Sequence, residues 1–311
     1  MLKISGSDML GTRIKLSISM LCWGLSFIAI KVALRVYPPL SLVTIRLFLT
    51  VVVLWSVSAM RRTGEAVPKG KDLLGLFLLG FLNPFCAFLL ESYGMLDNSA
   101  SITSIFLSTV PLLTPFVAFV FLRERLSVLN VFGLLVSFCG LVLIFSLGTD
   151  SGDYSIRGLI FLVFAVFIAI AYGIAARRLL KRYSPLTVVR YQQAFGFLLY
   201  LPLFFSFTDH RILPVSGIGG WQGLLAIVFL AIFPSALAYT FYVEGISKIG
   251  TSKANAFINL SPIVTSFASY FLLGETLGAL KLAGIAIVIA GVFVSQLVKK
   301  TIDRPSLVGL Q

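Results

Sequence analysis

The chain has 311 residues, 58% of them hydrophobic and only 12% charged, with a mean hydropathy of +1.01. A soluble domain carries about 25% charged residues, which excludes that class, and uncharged runs such as Asn98 to Leu122 exceed the roughly 18 residues that read as a membrane-spanning helix. The net charge of +13 is no signature of nucleic-acid binding, because the Lys and Arg residues sit in short connections between apolar runs, as the positive-inside effect requires.

At roughly 20 residues per crossing, the runs predict helices over 16–35, 40–60, 73–93, 99–121, 128–148, 157–176, 187–207, 221–243, 253–273 and 281–298. The first follows a leader, 1–15, and carries Trp23 and Lys31 instead of a small-residue cleavage site, which reads as a retained helix. With a cytoplasmic N-terminus, the inner flanks are crowded with basic residues, from Arg13 and Lys15 to Lys299 and Lys300 in the tail 299–311. The outer flanks hold only Lys31, Arg35, Arg157, Arg211 and Lys281. That bias puts both termini inside. Ten helices give the even count it needs.

The chain also repeats itself. Ser101 to Gly140 aligns without a gap on Ser252 to Gly291 at a shift of 151, with Pro111, Glu124, Gly133 and Gly140 matched by Pro262, Glu275, Gly284 and Gly291. Tyr37-Pro-Pro-Leu and Tyr183-Ser-Pro-Leu match at a shift of 146. Five helices per copy is an odd number, so the second copy enters the membrane upside down relative to the first. The expected fold is therefore an all-α polytopic membrane protein of ten transmembrane helices in two inverted five-helix repeats, 16–148 and 157–298, joined by an outer linker, 149–156.

Helix four shows Ser101, Ser104, Ser108, Pro111 and Pro115 on one face, and helix nine shows Ser252, Asn255, Asn259, Pro262 and Ser266 in the same places. The serines fit close helix packing as well as a cavity. An amide in hydrocarbon needs partners, so Asn255 and Asn259 read as lining a polar cavity. Pro111 and Pro262 each free a backbone carbonyl at mid-span and read as bends about which the halves could rock. Among the aromatics, Tyr200 and Tyr270 read as interface anchors, while Trp23, Tyr172 and Tyr239 fall nearer mid-span, where a polar tip needs an internal partner or a substrate.

Intramembrane charge is sparse. Arg46 lies about six residues, or roughly 9 Å, into helix two, and Glu91 and Glu244 lie within a turn or so of the ends of helices three and eight. These three are candidates for coupling or gating, against snorkelling for the arginine and a water-boundary position for the carboxylates. Glu124 and Glu275 close helices against the dipole preference and read as structural. Cys22, Cys86 and Cys139 lie in apolar runs and read as small buried thiols. His210 is the only histidine, and no hydrolase, zinc-protease or nucleotide-binding motif appears. No catalytic residue, metal or cofactor is expected.

The sequence resembles the EamA-type branch of the drug/metabolite transporter superfamily. The resemblance rests on Trp23-Gly-Leu-Ser26 running to Lys31, Pro39 with Arg46-Leu-Phe, Tyr93-Gly-Met, Ser99-Ala-Ser101 and Pro111 to Glu124-Arg-Leu. In the second half it rests on Gly245-Ile, Gly250-Thr-Ser-Lys-Ala, Pro262 and Gly274-Glu-Thr-Leu. It implies a secondary carrier of small metabolites, often exporting amino acids, with a cavity between the halves. Glu91 and Glu244 depart from the pattern, which more often has aliphatic or small residues there, and Ala169-Ile-Ala-Tyr172-Gly lacks the Trp-Gly of helix one. The sequence reading is an alternating-access exporter of a small polar or amphipathic metabolite, an amino acid or analogue, working as a monomer in a bacterial inner membrane. The expected substrate residues are Trp23, Ser26, Tyr93, Ser104, Ser108, Tyr172, Gln192, Tyr239, Asn255 and Asn259. A proton-coupled exporter of cationic drugs, using Glu91 or Glu244, is the alternative; a scaffold or lipid-modifying enzyme has less support.

Overall fold

The computed structural model describes residues 6–61, 67–122, 127–147, 155–207, 217–275 and 278–296, and every regular element among them is helical. Glu124, most of the linker and the C-terminal tail lie outside the described residues. The helices are α1 (Gly6–Leu34), α2 (Pro39–Arg61), α3 (Lys71–Leu96), α4 (Ala100–Leu107 and Val110–Leu122) and α5 (Val128–Leu147). There follow α6 (Ile156–Leu179), α7 (Pro185–Phe207), α8 (Gly217–Leu230 through Ala231–Ala238 to Tyr239–Ile249), α9 (Thr251–Ala256 through Phe257–Asn259 to Leu260–Leu273) and α10 (Ala279–Gln296).

Seven described stretches are long and apolar enough to cross a membrane: Asp8–Leu34, Pro39–Arg61, Lys71–Leu96, Ala100–Val117, Ile156–Leu179, Gly219–Ile249 and Lys253–Leu273. Helices α5 and α10 hold shorter apolar runs, Val128–Leu143 and Leu282–Val294, and α7 is diluted by Arg190, Gln192 and Gln193. Helix α1 begins at Gly6, inside the stretch that reads as a leader from sequence.

Large apolar side chains such as Phe48, Trp55, Phe138, Phe167 and Phe267 are exposed, while Ser19, Thr50, Gln192, Gln193, Ser235 and Thr265 are buried. That distribution suits a lipid solvent, in which apolar surface gives no drive to associate and close packing and buried polar contacts hold helices together.

Packing follows the repeat. Helix α1 packs on α8 and α9, and its counterpart α6 on α3 and α4; α2 packs on α7, and α5 on α10. Adding five to each helix number, counted around ten, returns the same pairs. Individual contacts repeat too. Gly94 of α3 closes on Leu162 of α6, and Gly245 of α8 closes on Leu16 of α1. The Tyr37 hydroxyl donates to the Gly220 carbonyl at 3.4 Å, and that of Tyr183 to the Asp72 carboxylate at 3.1 Å.

Among the described residues four helices are interrupted, each at a proline. In α3 the chain opens at Asn83, which is extended (φ −145°, ψ 117°), the conformation that a following proline favours. In α8 a widened π-helical turn, Ala231–Ala238, surrounds Pro234. Helix α4 breaks at Ser108 and Thr109, and α9 tightens into a 3-10 turn at Phe257–Asn259. Pro111 and Pro262 have no N–H for the carbonyls of Leu107 and Ile258 one turn earlier, so these two interruptions fall where the missing bonds would have been.

Two sequence expectations need correction. Tyr200 is no interface anchor: it is 0% exposed and donates to the Phe85 carbonyl at 2.8 Å. Helix α7 runs seven residues past it to Phe207, roughly 10 Å, and the opening beside Pro84 offers it a partner. Cys139 is exposed, not buried, while Cys22 and Cys86 are half-buried.

Candidate functional site

The irregular turns of α3 and α8 create acceptors inside the bundle: Tyr200 of α7 takes up the Phe85 carbonyl of α3, and polar side chains of α1 and α2 take up acceptors of α8. The Trp23 indole N–H donates to the Pro234 carbonyl at 3.2 Å, the Ser19 hydroxyl to the Ala238 carbonyl at 2.9 Å, and Thr50 to the Ala231 carbonyl at 3.3 Å. Arg46 Nε donates to Ser235 Oγ at 2.7 Å. Backbone freed from helical bonding at membrane depth survives only where such partners or a cavity meet it.

Beside these turns lies a cavity of about 140 Å³. A single water needs about 10–15 Å³ by the same measure, so the space suits a small metabolite. Trp23, Ser26, Tyr172 and Tyr239 line it, as do Ser104 and Ser108 at the α4 break. An aromatic cluster forms one part of the wall: the Trp23 ring centroid is 4.8 Å from that of Tyr242 and 5.7 Å from that of Tyr239, and Tyr172 lies 5.8 Å from Tyr239. Tyr172 donates to Gln192 Oε1 at 2.9 Å and Tyr242 to Asn255 Oδ1 at 2.6 Å. Gln192 and Asn255 therefore stand behind the wall and hold tyrosines that form it.

The remaining expected residues are placed otherwise. Asn259 does not reach the lining, and its buried Oδ1 has no partner among the described residues. Tyr93 turns to Phe161, 6.0 Å between centroids, outside the cavity. Ser104 and Ser108 line the cavity but donate to the Ser101 and Ile105 carbonyls of their own helix, which leaves them acceptors. Pro111 and Pro262 lie beyond it, next to the breaks in α4 and α9. Residues that sequence reasoning left out include Asn83, Phe88, Tyr242 and Ser261. Pro84 and Pro234, matched at a shift of 150, were the signal that could have found the first three.

The ionisable residues separate. Arg46 and Glu91 both line the cavity. Arg46 is only 4% exposed, and its guanidinium stacks 3.9 Å over the Phe88 ring. Glu91 lies deeper than the sequence suggested, because α3 continues to Leu96. Glu244 does not line the cavity. It pairs with Lys15 at 2.9 Å and Lys248 at 2.7 Å, at the end of the bundle that holds the start of α1. Its lysine partners are about two-fifths exposed, and such pairs contribute about 0.2–1 kcal/mol. Glu244→Gln is accordingly expected to leave substrate exchange in liposomes within about twofold of wild type and to lower stability by no more than about 1 kcal/mol; abolished exchange would return this residue to the transport path. Among the described residues no group of three or more metal-ligating side chains occurs.

The sequence model of the EamA-like transporter family matches residues 14–146 and again 156–297. An uncharacterized transporter of Archaeoglobus fulgidus is 27% identical over 90% of this chain and 97% of its own length. The uncharacterized transporter YetK of Bacillus subtilis is 25% identical over 94% and 89%. A probable terminal-alkyne amino-acid exporter of Streptantibioticus cattleyicolor is 27% identical over 93% and 94%. A solved crystal structure superposes with a TM-score of 0.68 over 92% of this chain and 96% of that one, at 17% identity, which is likeness of fold alone.

Proposed function

The chain belongs to the EamA-like transporter family, and we propose that within it this protein is an alternating-access exporter of a small amphipathic metabolite, an amino acid or analogue. It is a multi-pass membrane transporter and not an enzyme. The observation that carries the finer reading is the cavity: it is metabolite-sized, sits beside proline-broken helices, and joins an aromatic wall to acceptor hydroxyls and two opposite charges. The similarity to a probable amino-acid exporter supports the substrate class. The repeated contacts support two inverted five-helix halves, with α5, α7 and α10 completing ten crossings. The basic residues of the inner flanks support an orientation with both termini in the cytoplasm of a bacterial cell. The breaks before Pro111 and Pro262 are the points about which the halves rock, and the aromatics pack the apolar part of the substrate.

The reading is tested on purified protein. In a thermal-shift screen of a metabolite library, amino acids are expected to raise the apparent melting temperature with concentration, because a ligand of the folded state stabilises it by mass action. The double variant Asn255→Ala, Asn259→Ala removes the acceptor that fixes Tyr242 and a second buried amide. It is expected to lose at least about tenfold in exchange, the effect of about 1.4 kcal/mol, while still inserting and folding. A screen in which sugars or nucleotides stabilise and amino acids do not, or normal exchange by the double variant, would count against it.

A further inference from the structure

The two charged groups of the cavity are not paired with each other. Arg46 Nε is committed to Ser235 and its face to Phe88, but among the described residues its terminal nitrogens meet no acceptor. The Glu91 carboxylate opens on the same cavity. No ion pair within 4 Å joins it to Arg46, or to any other described cation. An isolated charge at membrane depth carries a large desolvation cost that an ion pair or a bound ligand relieves. Two opposite charges that attract each other across one small space without touching are complementary to a molecule that carries both signs itself.

The repeat sharpens the contrast. At the shift of 146 that aligns the start of each half, Gln192 stands in the place of Arg46. At the shift of 151, Tyr239 and Tyr242 stand in the places of Phe88 and Glu91. The second half thus presents neutral groups, an amide and a phenol, where the first presents a cation and an anion. A scaffold need alone would call for the same groups in both copies; the difference gives the cavity a charged part, from α2 and α3, and an amphipathic part, from α6 and α8.

We propose that Arg46 and Glu91 are the two poles of the substrate site: Arg46 holds a carboxylate, Glu91 holds an ammonium, and Tyr172, Tyr239, Tyr242 and Trp23 enclose the side chain of a zwitterion. Arg46 suits its role because a guanidinium fixed through Nε still offers Nη donors to a carboxylate. Stacking on Phe88 holds its plane in one orientation. The site then selects for the joint presence of both charges, so the corresponding amine and the corresponding acid each leave one buried charge unmatched. Such a mismatch is a strong basis for rejection. This assignment rests on the reading of the cavity as an amino-acid site and adds which end of the substrate meets which residue.

The test uses matched trios: alanine with ethylamine and propionate, leucine with isopentylamine and isocaproate, and phenylalanine with phenethylamine and hydrocinnamate. Apparent affinities are read from concentration-dependent thermal shifts of the purified full chain. In wild type, at least one zwitterion is expected to bind at least about tenfold more tightly than its amine and its acid, which is about 1.4 kcal/mol. Arg46→Gln, which installs the second half's residue, should abolish the preference over the amine. Glu91→Gln should abolish the preference over the acid, and each variant should leave the other preference in place. If no zwitterion stabilises wild type, the amino-acid reading itself fails. If zwitterions bind but amines or acids bind equally well, or if both variants keep the full double preference, the pole assignment is overturned while the amino-acid reading stands. Should Arg46→Gln not fold, Glu91→Gln decides the case, with Arg46→Lys as the charge-retaining control expected to keep the preference over the amine.

Discussion

Gly291→Val is expected to destabilise the protein by at least about 3 kcal/mol, the upper part of the range for forcing extra carbons into a filled interior. Helices α5 and α10 meet backbone to backbone. A Cβ built on Gly291 would stand 2.5 Å from Ser137 N and 2.6 Å from the Gly133 carbonyl oxygen, and one on Gly140 would stand 2.8 Å from the Gly284 carbonyl oxygen and from Val288 N. These are main-chain atoms, which cannot swing aside as a side-chain tip can. The close approach also permits the bond from Ser137 Oγ to the Val288 carbonyl at 2.8 Å. In lipid the two helices gain nothing from hiding apolar surface, so a forced separation removes most of what joins them. Gly11 supplies the control, since nothing lies within 4 Å of a Cβ placed there; Gly11→Ala should be neutral or slightly stabilising. Thermal unfolding in detergent, with size-exclusion profiles, reads both. A monodisperse Gly291→Val protein with an unchanged melting temperature would mean that these helices do not meet as described.

Those glycines show what a repeat makes legible. A shift of 151 marks Gly133, Gly140, Gly284 and Gly291 as a set from residue identities alone, and apolar run length by itself gives an all-helical membrane protein. Depth is harder to read. Glu91 and Glu244 look alike in sequence, each near a helix end, yet one opens on the cavity and the other lies between two lysines. The extra residues of α3 and α8 that decide this sit beyond the apolar runs, where hydropathy falls off before the helix does. Tyr200 misleads for a related reason: a tyrosine near a span end resembles an anchor until the helix is seen to continue past it. The breaks at Asn83 and around Pro234 are harder still, because a proline in a membrane helix marks the carbonyl one turn earlier as unbonded without saying how far the turn widens or which side chains settle on it. Trp23 and Thr50 reach carbonyls of the widened α8 turn, at Pro234 and Ala231. Periodicity on a single helix contains no trace of that.

Glu275→Ala is expected to loosen the junction between the two halves and to change which part of the bundle admits solvent. The carboxylate, at the end of α9, caps α4 across a long stretch of chain: Oε1 accepts from Ala100 N at 2.8 Å, and Oε2 from Ser101 Oγ at 2.6 Å and from Ser101 N at 3.4 Å. Ser101 Oγ also meets Ser269 Oγ at 2.8 Å. A negative charge at a helix N-terminus satisfies otherwise orphaned donors and complements the dipole, which explains how an acidic residue can close its own helix against the usual preference. Hydrogen bonds to a charged group contribute about 1.5–3 kcal/mol each, so losing the carboxylate should cost this contact about 2 kcal/mol or more. Between two conformations of the bundle, a bias of that size changes populations more than tenfold, since about 1.4 kcal/mol already does so. The measurement is the rate at which a membrane-impermeant maleimide labels Ser104→Cys, one turn inward on α4, with Cys22, Cys86 and Cys139 replaced by serine. Labelling should rise at least about tenfold in Glu275→Ala, with Glu275→Gln in between because its amide keeps one acceptor. If labelling stays unchanged while the melting temperature falls, Glu275 serves only to cap α4, and the two halves are held together elsewhere.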